Sequence, residues 1–199
     1  MSISKNCIII HWCPDPDEDR NPETRVYDKH WIPWLKNVLE SVWIKSEIPS
    51  MPEPWAPNYE AYKKEFERYP VNENSILIWH SCGCAFLVRW LWETGQKIEK
   101  LILVAPWKIP EEWNIGREQF YTYEIDSSIK DRTKEIIMFT SDDEEKDGKQ
   151  SLRIFYESLG GKIIELRWHG HFILWHMWTE EFPELFEEIA WVGIQKKYD

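Results

Sequence analysis

Glycine is scarce in this chain, at 8 residues of 199, whereas tryptophan reaches 14. Few positions are therefore open to the left-handed turns and helix caps that a residue without Cβ adopts freely. Basic charge is also short: 24 Lys and Arg stand against 35 Asp and Glu, for a net charge of −11. That sign argues against a nucleic-acid partner or an anionic membrane, both of which attract surplus positive charge. No apolar run approaches the ~20 residues of a membrane-spanning helix. Met1-Ser-Ile-Ser-Lys5 carries no signal-peptide pattern, so a cytoplasmic protein is expected. The cysteines Cys7, Cys13, Cys82 and Cys84 show no C-x-x-C spacing. No zinc site is expected from them, and reduced thiols are. With 43% hydrophobic residues there is material for a core, and a single domain over residues 1–199 is expected.

What is present is an alternation of apolar, β-branched runs with amphipathic stretches. The runs predict strands at Cys7–His11, Ile44–Ser50, Ile76–His80, Leu101–Ala105, Glu135–Thr140 and Lys162–Leu166. Helices are predicted at His30–Ser41, Asn58–Tyr69, Cys82–Thr94, Lys149–Leu159 and Thr179–Val192, the last two ending near Gly160-Gly161 and Gly193. This order implies an α/β fold: a three-layer α/β/α sandwich on a mostly parallel sheet of about six strands. Long connections at Trp12–Asp28, Met51–Pro57 and Pro106–Asp126 are rich in Pro, Asp, Glu and Trp, as loops that wall a site tend to be.

One junction carries chemistry. Ser75-Ile-Leu-Ile-Trp79-His80-Ser81-Cys82-Gly83 reads as a buried strand, a sharp turn with Ser81 at its apex, and a helix start. In a nucleophile elbow, G-x-S-x-G, the serine Oγ stands above the sheet edge and the next backbone N–H, here that of Cys82, points where an oxyanion would form. Gly83 supplies the second glycine, while Trp79 stands in place of the first. A strand–helix junction with an N-capping serine reads the same way. Downstream, Ser141-Asp142-Asp143 follows a predicted strand, as does His169-Gly170-His171. Taken singly, these are equally an Asx-type turn and a surface loop.

Seven segments occur in an order that resembles a known group. They are His11-Trp-Cys-Pro14, Asp28-Lys-His-Trp-Ile-Pro-Trp-Leu35, Met51-Pro-Glu-Pro54, Trp79-His-Ser-Cys-Gly83, Leu103-Val-Ala-Pro106, Ser141-Asp-Asp143 and His169-Gly-His-Phe172. Their spacing is similar to that of the small serine hydrolases related to retinoblastoma-binding protein 9, a minimal α/β-hydrolase group. The likeness runs from residue 7 to about 190. It implies a sheet ordered 2-1-3-4-5-6, whose strands one and three flank the point where open α/β sheets form a ligand crevice. It also implies a triad in the order Ser, Asp, His. Within Asp142/Asp143 and His169/His171, the family pattern selects Asp143 as the acid and His171 as the base.

The implied activity is a serine hydrolase acting on a small ester, thioester or amide without a cofactor. His171 would take the Ser81 proton and return it to the leaving group, and Asp143 would hold the imidazole tautomer. The Cys82 N–H and the Cys13 N–H would form the oxyanion hole, since Pro14 has no N–H to offer. Trp12 and Trp107 are candidates for the substrate pocket, and Trp55 and Trp31 for pocket or core. The competing reading is a hydrolase-fold binding protein with little turnover. A metal at Cys13, Cys82, Cys84, His11, His80 and His171 is disfavoured, because an elbow aims its side chains in different directions. Cys13 and Cys82 read instead as oxidisable thiols beside the nucleophile. The acidic run Asp15–Asp19 reads as a solvated loop.

The tryptophan excess has its own pattern. The family wants glycine at the positions of Trp12 and Trp79, where an indole is expected to clash. Trp43, Trp92, Trp168, Trp175, Trp178 and Trp191 also stand where turn or cap glycines are expected. A UGA codon read as glycine in the source and written as tryptophan accounts for both the surplus and the shortage. A divergent, aromatic-rich hydrolase is the alternative.

Overall fold

The computed structural model describes residues 5–11, 13–23, 30–110 and 117–195, with side chains through residue 190. Six strands form one sheet: β1 (Asn6–Ile10), β2 (Lys45–Glu47), β3 (Ser75–His80), β4 (Ile98–Val104), β5 (Thr133–Ser141) and β6 (Lys162–Leu166). The order is β2-β1-β3-β4-β5-β6, and every neighbouring pair is parallel. Period-two alternation then sends successive side chains to opposite faces. Ile8 and Ile10 join one core with Leu77, Trp79, Leu101 and Leu103. Cys7 and Ile9 join the other with Ile76, Ile78, Ile102 and Val104.

Each face is covered by helices. α3 (Tyr59–Phe66), α4 (Gly83–Thr94) and α6 (Lys146–Leu159) pack on the first core, and α2 (Trp31–Ser41) and α8 (Pro183–Gln195) on the second. The ends follow local chemistry. Asn58 caps α3 by accepting from the Ala61 N–H, and the left-handed Gly95 closes α4. α8 begins at Pro183, later than the expected Thr179, because proline suits a helix's first position. β2 stops short of the expected Ser50: the chain turns toward Pro49, which cannot continue a ladder.

The long connections hold short helices: α1 (Pro16–Arg20), α5 (Glu118–Tyr121), a 3-10 turn at Ser127–Arg132 and α7 (Leu174–Met177). The acidic run read as an open loop is therefore partly helical. Asp15 caps α1, accepting from the N–H groups of Asp17 and Glu18 at 2.8 Å each. The expectation of four reduced thiols is also corrected, because Cys13 and Cys82 form a disulfide while Cys7 and Cys84 are free and buried. No helix among the described residues is long and apolar enough to cross a membrane.

Candidate active site

β3 runs out at the C-terminal edge of the sheet, and α4 begins at Gly83. So abrupt a reversal demands a strained residue, and Ser81 takes φ +57°. The turn is held on both sides. The Ser81 N–H donates to the Val104 carbonyl at 2.9 Å, and the Ser81 carbonyl accepts from Cys84 at 3.0 Å and Trp107 at 3.2 Å. The clash expected of Trp79 does not arise. Its indole is fully buried against Phe66 and Phe86 and donates to the His11 carbonyl at 3.1 Å. The room comes from Gly83, where a Cβ would lie 1.5 Å from the Trp79 Nε1.

The loop after β6 brings His171 to this edge. His171 Nε2 lies 2.7 Å from Ser81 Oγ. The carboxylate at Nδ1 is Glu144, with oxygens at 3.0 and 3.2 Å, and not the expected Asp143. The difference follows from where α6 starts: at Lys146 and not Lys149. Residues 142–145 then form the approach to the helix, and Glu144 is the carboxylate turned inward, 6% exposed. Gly148 leaves it space, because a Cβ there would meet Glu144 Cδ at 2.8 Å.

Asp143 has another task. Its Oδ1 accepts from the Gly170 N–H at 2.8 Å and from the Ser141 hydroxyl, whose bond holds the carboxyl below the usual carboxylate range. Ser141 Oγ accepts from the His169 N–H at 3.0 Å, and Asp142 Oδ1 from the Trp168 N–H at 2.9 Å. Ser141-Asp142-Asp143 is thus a clamp on successive backbone donors of the histidine loop. His80 completes it from the strand, its Nε2–H donating to the His171 carbonyl at 2.8 Å. Burial, then the neighbouring His171, keeps His80 well below the usual imidazole value and so neutral. His169 faces away from the serine, toward Phe172 and Phe182.

A cleft of about 290 Å³ opens above the serine, lined by Ser81, Cys82, Cys13, Trp107, Arg117 and His171 among others. Trp107 meets His171 edge-on, with ring centroids 5.6 Å apart. Trp31 is core, its indole donating to the Phe172 carbonyl, and Trp55 lies beneath the Arg20 guanidinium outside the cleft. Trp12 lies outside the described residues. Cys82 caps α4, where the helix dipole favours negative charge. Cys13 sits opposite, with its carbonyl accepting from Arg117 Nη2 at 2.5 Å. Among the described residues, no group of three or more His, Cys, Asp or Glu side chains is placed to hold a metal ion.

Sequence reasoning missed Glu144, Arg117 and the role of Gly148. A glycine in the first turn of a helix works against propensity, and that cost was the available signal for a side chain needing space. As for the tryptophans, Trp43, Trp168 and Trp178 occupy left-handed backbone at φ +67°, +61° and +56° and are 92%, 74% and 86% exposed. Trp92 and Trp175 are helical and partly exposed, and the Trp191 side chain lies outside the described set.

A family model described as serine hydrolase matches residues 24–189. YdeN of Bacillus subtilis (strain 168), a protein named as a hydrolase, is 32% identical over 80 residues; that stretch spans 38% of this chain and 42% of the relative. The crystal structure of the ydeN gene product from B. subtilis superposes with a TM-score of 0.79 at 19% identity, covering 94% of this chain and 97% of the other. Est1E from Butyrivibrio proteoclasticus, solved with ferulic acid bound, gives 0.63 at 11% identity, covering 98% and 90%. At such identities the structural likeness speaks for the fold alone.

Proposed function

The chain belongs to the serine hydrolase family, and from that premise we propose that it cleaves a small ester, thioester or amide through an acyl-enzyme on Ser81. The observation that carries the proposal is the relay Ser81 Oγ–His171 Nε2–His171 Nδ1–Glu144, with separations of 2.7 and 3.0 Å. A serine hydroxyl attacks a carbonyl only when a base takes its proton, and His171 Nε2 is within reach to do so. Glu144 fixes the tautomer with Nδ1–H and stabilises the imidazolium that forms. The backbone N–H groups of Cys82 and Cys13 receive the oxyanion. His171 then protonates the leaving group, and water releases the acyl chain by the reverse transfers. The narrower likeness to the small hydrolases related to retinoblastoma-binding protein 9 is part of this proposal. Glu144 in the acid's place is where the chain departs from that pattern.

Hydrolysis of p-nitrophenyl acetate tests the assignment. Ser81→Ala removes one hydroxyl and should lower kcat by about 10⁴-fold or more with the fold retained. Turnover of the variant within about tenfold of wild type would overturn the assignment of Ser81 as nucleophile, whereas a wild-type protein that neither turns over the ester nor reacts with a fluorophosphonate would leave the binding-protein reading in its place.

A further inference from the structure

We propose that the Cys13–Cys82 pair is a redox modification site that controls the hydrolase through its oxyanion hole; this rests on the function proposed above. The bridge joins the two residues whose backbone N–H groups are assigned above to the oxyanion hole. They are 69 residues apart in sequence, with Cα atoms at 6.5 Å. One stands after β1, the other caps α4, and both line the cleft above Ser81. A small thiol that enters the cleft as a substrate would meets them there.

The chemistry balances with a low-molecular-weight thiol as reductant. Its thiolate attacks Cys13 Sγ, since Cys13 is the more accessible of the two residues at 5% exposure against 1% for Cys82. The S–S bond breaks and Cys82 leaves as a thiolate at the start of a 12-residue helix, where the dipole stabilises it and makes it a good leaving group. A second thiol then displaces Cys13 from the mixed disulfide. Two thiols have become one small disulfide, and the two electrons and two protons reside on Cys13 and Cys82. A low-molecular-weight disulfide reverses each step. Cys7 and Cys84 stay out of the exchange: both are fully buried, and burial raises both thiols above the ordinary value.

Breaking the bridge has a mechanical consequence. Bonded sulfurs lie about 2.05 Å apart, whereas non-bonded heavy atoms settle at about 3.5–4 Å. The wall around them has little slack, since the Tyr62 hydroxyl already lies 3.9 Å from Cys13 Sγ. Separation must move either a side chain into the cleft or the backbone carrying the two donors. A displacement near 1 Å at reacting groups costs on the order of 10²-fold in rate. The bridged form is therefore the active one, and reduction slows it.

The test titrates the protein with dithiothreitol, counting alkylated cysteines by intact and peptide mass while following p-nitrophenyl acetate hydrolysis. The expected result is that two thiols appear, mapping to Cys13 and Cys82. On the same curve kcat falls at least tenfold with KM changed less, and oxidised glutathione restores both. Thiols that appear with turnover unchanged, or an oxidised protein with all four cysteines free, overturn this inference alone. Absence of turnover and of fluorophosphonate labelling in both states overturns the proposed function, and this control with it.

Discussion

At the scale of the residue, the carboxylates of the 142–145 run separate by what they touch. Glu144 faces the His171 ring, and Asp143 faces the loop backbone. Glu144→Gln keeps shape but loses charge, so kcat should fall by about 10³- to 10⁴-fold. Asp143→Asn keeps an acceptor for the Gly170 N–H and should stay within about tenfold of wild type. A larger loss in Asp143→Asn than in Glu144→Gln would return the acid role to Asp143. The serine and histidine positions were legible from elbow pattern and chain order. The choice among adjacent carboxylates was not, because it depends on which turn of backbone leads into α6. The tryptophans divide on the same scale. Trp43, Trp168 and Trp178 pay for a left-handed backbone with exposed indoles that contribute little packing. Each change to glycine should raise stability by about 1 kcal/mol, or roughly 2–4 °C in thermal midpoint. Codons read as UGA at these positions would fit recoded glycines; UGG at all of them, with no gain in midpoint, ends that account.

At the scale of the element, the histidine loop is held from three directions: by the end of β5, by β3 through His80, and by α2. The α2 contact is His30, buried at the helix start, whose Nδ1 accepts from the Leu174 N–H at 2.8 Å. Burial pushes His30 from 6.5 down to about 4, although Glu18 lies 3.9 Å from its Nε2. The unfolded imidazole takes up a proton near its ordinary value while the folded one resists until about 4. The unfolded state thus binds more protons across that window, and stability falls as pH drops through it. The loss is on the order of 3 kcal/mol by pH 4. Urea unfolding of wild type and of His30→Asn from pH 7 to 4 measures it: the variant should show a smaller slope, and an identical slope would assign the effect elsewhere. Strand and helix positions were legible from periodicity, with shifted ends where Pro49 and Pro183 impose their geometry. The short helices α1, α5 and α7 were not, because a single turn has too few residues for its pattern to stand out.

At the scale of the whole molecule, the parallel order β2-β1-β3-β4-β5-β6 places the loop after β1 and the elbow after β3 side by side at one sheet edge. β5 and β6 deliver Glu144 and His171 to the same edge. That convergence was legible only through the ordered motifs, since periodicity reports neither strand order nor which loops meet. The nearness of Cys13 and Cys82 was legible in the same way, through their shared place at the oxyanion hole, but their bridge was not, because sequence spacing does not report which thiols are oxidised. The hydrolase chemistry requires Ser81 to be an activated nucleophile. Reaction with a fluorophosphonate followed by peptide mass mapping tests this most directly. One adduct is expected, on the Ser81 peptide and absent from Ser81→Ala; no adduct on the wild-type protein, or equal labelling of the variant, would contradict an activated Ser81.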